Sequence, residues 1–325
     1  MYALIGLFVL ALGYVLTPCV IALSWRIHAV DVPTDGRRMH REASPRDGGL
    51  AVFFSFFLGM LLTGEVSRLT LCLLLGGGAM LGMGLLDDIF CLTPWTKLLF
   101  QLAVASATVF FSGLVEGTLG IFAVLWVILL INAHNFIDGM DGLLTGCTAI
   151  EGGALSVSLA ITGHFQASVA ALLLSLAVLG FRPYNRYPAC VFAGDCGSES
   201  IGFLLGMLSL PLFFTTAPSF TQLSPWLLFA YPLTEVFTSV LRRLLAGRSL
   251  FSADRAHLHH RLYAKGLSQV ECTGALLTVC AALCLTGCFI CAPDLRLLAA
   301  FSCLGGVCVL LSVRRYVRRA EQFGF

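Results

Sequence analysis

"INAHNFIDGMDGLL", residues 131–144, sets two asparagines, a histidine, two aspartates and two glycines between two long apolar runs, 118–132 and 143–162. Runs of that length suit the roughly 30 Å of hydrocarbon that a membrane helix must cross, and lipid admits only helices or closed barrels as spanning structures. The runs do not alternate apolar with polar residues as barrel strands do, so helices are expected. The rest of the chain repeats the pattern. Of 325 residues, 58% are hydrophobic and only 12% charged, far from the composition of a soluble globular domain.

Extended along the chain, this reading gives eleven candidate spans, at about 2–24, 49–64, 69–86, 98–115, 118–132, 143–162, 165–181, 199–216, 223–241, 270–291 and 297–313. Together they form one all-α polytopic membrane domain over 1–325. An odd number puts the termini on opposite faces. Lys and Arg favour the cytoplasmic side of short loops. The connections 25–48, 87–97, 133–142, 182–198 and 242–269, with the tail from 314, hold 18 of the 20 basic residues, and the opposite set holds only Arg68 and Arg296. The N-terminus is therefore expected outside and the C-terminus in the cytoplasm. The first span lacks a basic leader and a cleavage site, so it is expected to be retained as a helix. Many of the thirteen cysteines lie inside spans, where they act as small hydrophobes, and none has zinc-ribbon spacing. Neither disulfides nor structural zinc are expected.

The polar residues follow the basic ones. Five cytoplasmic stretches are dense in them: "GRRMHREASPRDGG" (36–49), "DDIFCLTPWTKLLFQ" (87–101), "NAHNFIDGMDGL" (132–143), "FAGDCGSES" (192–200) and "FSADRAHLHHRL" (251–262). Asp87 and Asp88 are adjacent at a membrane boundary, where two carboxylates repel unless a cation or a proton lies between them. Asp138 and Asp141 are three apart, so on a helical turn they share a face. A plain Asp-Gly turn accounts for one such pair more easily than for two in succession. Asp195 stands in a glycine turn that opens a span, where backbone amides can meet an anion and the carboxylate a metal, although capping is the commoner role for aspartate there. His257, His259 and His260 crowd beside Arg255 and Arg261. They could ligate zinc, but no cysteine stands near, and binding an anion is the stronger reading.

Five carboxylates sharing one face with Lys97, Arg41, Arg46 and the histidines fit Mg²⁺ together with phosphate oxygens, since Mg²⁺ takes a carboxylate or two and fills its shell with phosphate and water. A transporter would instead need essential charges near the midplane and repeat symmetry between halves, and neither is visible.

The five motifs, in this order on alternate loops, resemble those of the polyprenyl-phosphate N-acetylhexosamine-1-phosphate transferases, in the branch that starts O-antigen, enterobacterial common antigen and teichoic acid assembly. The resemblance covers essentially the whole chain. It implies transfer of a sugar 1-phosphate from a UDP-sugar to undecaprenyl phosphate, with release of UMP, at a bacterial inner membrane and with Mg²⁺, or Mn²⁺, as cofactor. It implies no nucleic-acid partner and leaves a homodimer open. By position, Asp195 would be the principal metal ligand, and Asp87 and Asp88 would serve the lipid phosphate and catalysis. Asn132, Asn135, Asp138 and Asp141 would line the nucleotide pocket, and Phe192 would stack on uracil. Lys97, His257, His259 and His260 would contact phosphates or sugar.

The departures are informative. Leu258 interrupts the three consecutive histidines of the peptidoglycan branch, which points away from a UDP-muramoyl-pentapeptide donor and toward UDP-GlcNAc or another UDP-sugar. Cys91 stands where that branch has a lysine, leaving Lys97 to carry any lysine role, and Glu235 stands where many relatives have Asp. Glu151 and Glu235 lie within spans, each either functional or bonded to a neighbouring helix. Direct in-line attack by the lipid phosphate and a phosphoryl-aspartate intermediate both remain open. The charge split predicts that, in a cysteine-free background, single cysteines near Arg46 and near His259 will be labelled by impermeant reagents only from the cytoplasmic side; labelling of either from outside inverts the topology.

Overall fold

The computed structural model describes residues 1–27, 30–31, 44–214, 219–247, 249 and 258–292, with the side chains of Asp31, Ser219, His259 and His260 left aside. It is helical apart from one short antiparallel pairing, β1 (Val30–Asp31) with β2 (Ser44–Pro45). The helices are α1 (Tyr2–Arg26), α2 (Gly49–Leu62), α3 (Arg68–Phe90), α4 (Pro94–Ser112), α5 (Leu119–Ile137), α6 (Leu143–Ile161), α7 (Phe165–Asn185) and α8 (Gly194–Phe213). A 3₁₀ turn (Ser219–Leu223) leads to α9 (Ser224–Leu228), α10 (Ala230–Leu245), α11 (Leu258–Tyr263) and α12 (Gln269–Cys291).

Eight of the described helices, α1, α3 to α8 and α12, are long and apolar enough to cross a membrane, and the shorter α2 is apolar throughout. The ninth expected span is two pieces, α9 and α10, and the eleventh lies outside the described residues. Ends drawn by hydropathy alone fell short on the polar side. The eighth span begins at Gly194 instead of 199, the fourth at Pro94 instead of 98, and the fifth runs to Ile137. The reason is local. Thr93 accepts a hydrogen bond from the Thr96 amide with Pro94 at the first helical position, so α4 can start in polar sequence. Lys97, Asn132, Asn135 and Asp195 thus lie on rigid helix ends, not in loops.

α8 is the axis of the fold. The apolar 18-residue window of α8 is wholly buried, packed chiefly between α3 and α5 and touched also by α2, α6 and α7, whereas α1 and α4 turn most of their surface outward. At one end Trp126 of α5 donates its indole N–H to Ser209 Oγ at 2.9 Å and meets Phe213 and Trp226 edge-on. At the other end α3 runs against the first turn of α8 at Gly84, where a Cβ would come 2.5 Å from the Asp195 backbone. Gly84→Ala is therefore predicted to cost about 1–3 kcal/mol in overpacking. Gly82→Ala, which meets nothing within 4 Å, should be neutral or slightly stabilising. Thermal unfolding of the two purified variants checks the contrast.

Candidate active site

Adjacent residues on a helix point about 100° apart, and the last turn of α3 uses this. Asp87 turns toward α4. Its Oδ1 accepts the Leu92 amide at 2.6 Å, and its Oδ2 meets Lys97 Nζ at 2.8 Å. Asp88 turns toward α8, where its two oxygens accept the Asp195 and Cys196 amides, each at 3.1 Å. A carboxylate at a helix N-terminus satisfies orphan donors and complements the dipole. α3 can stop here because Cys91 takes left-handed geometry, φ 52°.

α8 opens from a second clasp. Phe192 donates its amide to Pro45 O at 2.9 Å, Gly48 donates to Phe192 O at 3.0 Å, and Gly49 donates to Ala193 O at 2.9 Å, so the "PRDGG" stretch pairs with the strand-like entry to α8. Gly194 sits at φ +73° with the Arg46 carbonyl where a side chain would be, a position open only to glycine.

Lys97 is the hub. Its ammonium contacts Asp87 at 2.8 Å, Asp195 at 2.7 Å and Glu199 at 2.8 Å. Glu199 is fully buried, while Asp195, with 32% of its side chain exposed, is the most open of the four and the one a ligand can reach. Asn135 donates to Asp195 at 3.3 Å and to Glu199 at 3.4 Å; Gln101 donates to Glu199 at 3.4 Å and accepts from Asn132 at 2.9 Å. Burial, then the negative charges of Asp195 and Asp88, push the Asp138 carboxyl well above the usual range, against the amide of Gly194 and the charge of Arg46. Three carboxylates thus contact Lys97, and Asp88 and Asp138 lie close enough to Asp195 to feel its charge, with the charge of Arg46 nearby. An excess of oxygen donors around an accessible aspartate suits a hard divalent cation such as Mg²⁺.

Asp87, Asp88, Arg46, Lys97, Asn132, Asn135, Asp138 and Asp195 are therefore brought together. Asp141 is not. Expected to share a helical face with Asp138, it lies instead beyond the end of α5, where its Oδ2 accepts the Ala189 amide at 2.9 Å and fixes the loop before α8. The helical spacing that operates is Asn132, Asn135 and Asp138 along the end of α5. Phe192 is half-buried in the loop ahead of Gly194. His259 and His260 belong to α11, whose first amide, Leu258 N, is held by both oxygens of Glu235 at 3.1 and 3.2 Å. Arg41 and His257 lie outside the described residues. Glu199 and Gln101 lie within the motifs but carry no role in the sequence reading; each sits four residues beyond a recognised one, Asp195 and Lys97, a signal visible only where the helices start early enough.

Residues 70–212 match the family model described as Glycosyl transferase family 4. A Bacillus subtilis (strain 168) protein named as a probable undecaprenyl-phosphate N-acetylglucosaminyl 1-phosphate transferase is 36% identical over 270 residues, 78% of this chain and 75% of the relative. The chain belongs to glycosyl transferase family 4. A decaprenyl-phosphate N-acetylglucosaminephosphotransferase of Mycobacterium tuberculosis (strain ATCC 25618 / H37Rv) is 31% identical over 325 residues, covering 82% of this chain and 76% of the relative. An undecaprenyl-phosphate alpha-N-acetylglucosaminyl 1-phosphate transferase of Escherichia coli (strain K12) is 30% identical over 291 residues, covering 79% and 75%. The matched family segment contains the Lys97 hub and both aspartates of α3, whereas Arg46, Asp47, His257, His259 and His260 fall outside it.

Behind the hub, His134 of α5 and Glu151 of α6 form a fully buried pair at 2.9 Å, with the other imidazole nitrogen on Leu130 O at 2.8 Å. Of the two roles open to Glu151, the bond to a neighbouring helix is present. Removing one partner strands a buried polar group, so Glu151→Ala is predicted to destabilise by about 3–5 kcal/mol, and the double change His134→Leu with Glu151→Leu by less. Unfolding of the single and double variants in detergent measures the difference.

Proposed function

We propose that this chain transfers N-acetylglucosamine 1-phosphate from UDP-GlcNAc to undecaprenyl phosphate, releasing UMP and starting a lipid-linked envelope glycan. The observation that carries the reading is the Lys97 hub, an ammonium held by three carboxylates with Asp195 partly open, in a chain whose relatives are named for this class of transfer. The physical difficulty is bringing two phosphate anions together. Asp195 would hold Mg²⁺, or Mn²⁺, with Asp87 and Asp138 close by. When bound, the cation neutralises the diphosphate and stabilises charge on the departing UMP.

The chain's own groups divide the remaining work. Lys97, already between Asp87 and Asp195, meets phosphate oxygens as they arrive. Asp87 orients the acceptor phosphate for in-line attack on the β-phosphorus. Asp88, committed to two amides of α8, keeps Asp195 in place and acts as a positioning residue. Asn135 and Asn132 line the nucleotide side, Phe192 offers a ring for uracil, and Arg46 would meet phosphate or sugar. The site lies at the cytoplasmic face of a bacterial inner membrane, with the N-terminus outside and eleven spans in all, so that a soluble nucleotide and an embedded lipid meet at the boundary.

In proteoliposomes holding undecaprenyl phosphate, UDP-GlcNAc should yield UMP while UDP-muramoyl-pentapeptide does not. Asp195→Asn keeps size and one oxygen but loses charge toward a divalent cation, so turnover should fall by on the order of 10²-fold or more, with partial recovery at raised Mg²⁺. Near wild-type turnover with an unchanged Mg²⁺ requirement would move the metal to Asp87 and Asp88.

A further inference from the structure

Asp47 stands two residues before α2 with no exposure at all, and among the described residues neither of its carboxylate oxygens has a hydrogen-bond partner. Such a group is costly to leave alone. Burial raises its affinity for a proton, against a nearby Ser24 hydroxyl and the charge of Arg46, but that hydroxyl donates to Val20 O at 3.0 Å. What Asp47 does face is specific. One of its oxygens, one Asp88 oxygen and Cys196 Sγ all lie within 4.8 Å of one another. The three come from the head of α2, the end of α3 and the first turn of α8. Asp88 already accepts two amides, yet two carboxylate oxygens offer about four acceptor sites, so capacity toward the cluster remains.

We propose that Asp47, Asp88 and Cys196 form a binding site for a borderline divalent transition-metal cation of the zinc type, separate from the Mg²⁺ of the transfer reaction. A proton shared by Asp47 and Asp88 would quiet two carboxylates but would leave the sulfur beside them, whose S–H points to Ala193 O at 3.4 Å, without a role in their charge balance. A sulfur beside two carboxylates is a mixed donor set that Mg²⁺ disfavours and zinc-like ions accept. On binding, the metal–sulfur bond replaces the S–H bond of Cys196 and the proton leaves to solvent, so the cation meets a thiolate and two carboxylates. Cys196 and Asp47 are enclosed, while the partly exposed Asp88 leaves a route in. A cation here ties together the three segments whose clasp sets the start of α8.

The test reads metal, not turnover, so its outcome is independent of the transferase assignment. Detergent-purified full-length protein is loaded with Co²⁺ in excess Mg²⁺, desalted, and examined for metal content and for the near-ultraviolet thiolate-to-cobalt charge-transfer band. About one equivalent should be retained with the band. Asp47→Asn should lose the metal, Cys196→Ser, which is nearly isosteric and guards against misfolding of the first variant, should lose the band, and Asp195→Asn should keep both. Absence of retained cobalt in the wild type, a band that survives Cys196→Ser, or loss in Asp195→Asn with retention in Asp47→Asn would each overturn the site.

Discussion

Carboxylates gathered in a partly buried space repel one another, and nearly everything around this centre can be understood as an answer to that repulsion. Lys97 answers for Asp87, Asp195 and Glu199 at once, at 2.7–2.8 Å. Asp88 is answered by the first amides of α8, and Asp138 by the amide of Gly194. The carboxylates and their partners are supplied from the ends of α3, α4, α5 and α8, so the charge balance of the site requires that four helix ends arrive together.

Their arrival depends on close backbone approach. α8 has no free face, and its first turn is pressed by Gly84 of α3 and by the stretch 45–49. The clasp between that stretch and Phe192–Ala193 makes the entrance of α8 a junction of three segments, with Asp88 laid across it. The buried His134–Glu151 pair serves the same rigidity from behind, fixing α5 to α6 just before Asn135 and Asp138 leave α5. A catalytic constellation on helix ends, locked by packing, holds its geometry better than one on loops.

Polar stretches that are far apart in sequence thereby take different parts. "DDIFCLTPWTKLLFQ" and "FAGDCGSES" supply the hub, whereas "PRDGG" contributes backbone pairing, close glycine contacts and the buried Asp47. Glu235 of α10 holds the head of α11 through the Leu258 amide. Asp141 and Glu151 each also make a contact between segments: Asp141 accepts the Ala189 amide, and Glu151 meets His134.

Composition and apolar run length were enough for the helical membrane architecture, because lipid leaves so few alternatives. Five motifs were enough for the family, and the polar residues within them were enough to nominate Asp87, Asp88, Lys97, Asn135, Asp138 and Asp195. Tertiary structure decided the rest. Hydropathy cannot see a capped helix that begins in polar sequence, so α4 and α8 started earlier than expected and the fourfold spacings Lys97–Gln101 and Asp195–Glu199 went unread. Spacing alone could not say that α5 ends at Ile137, which parts Asp138 from Asp141. Nor could sequence distance bring Asp47 beside Cys196, because that contact exists only where α2, α3 and α8 meet.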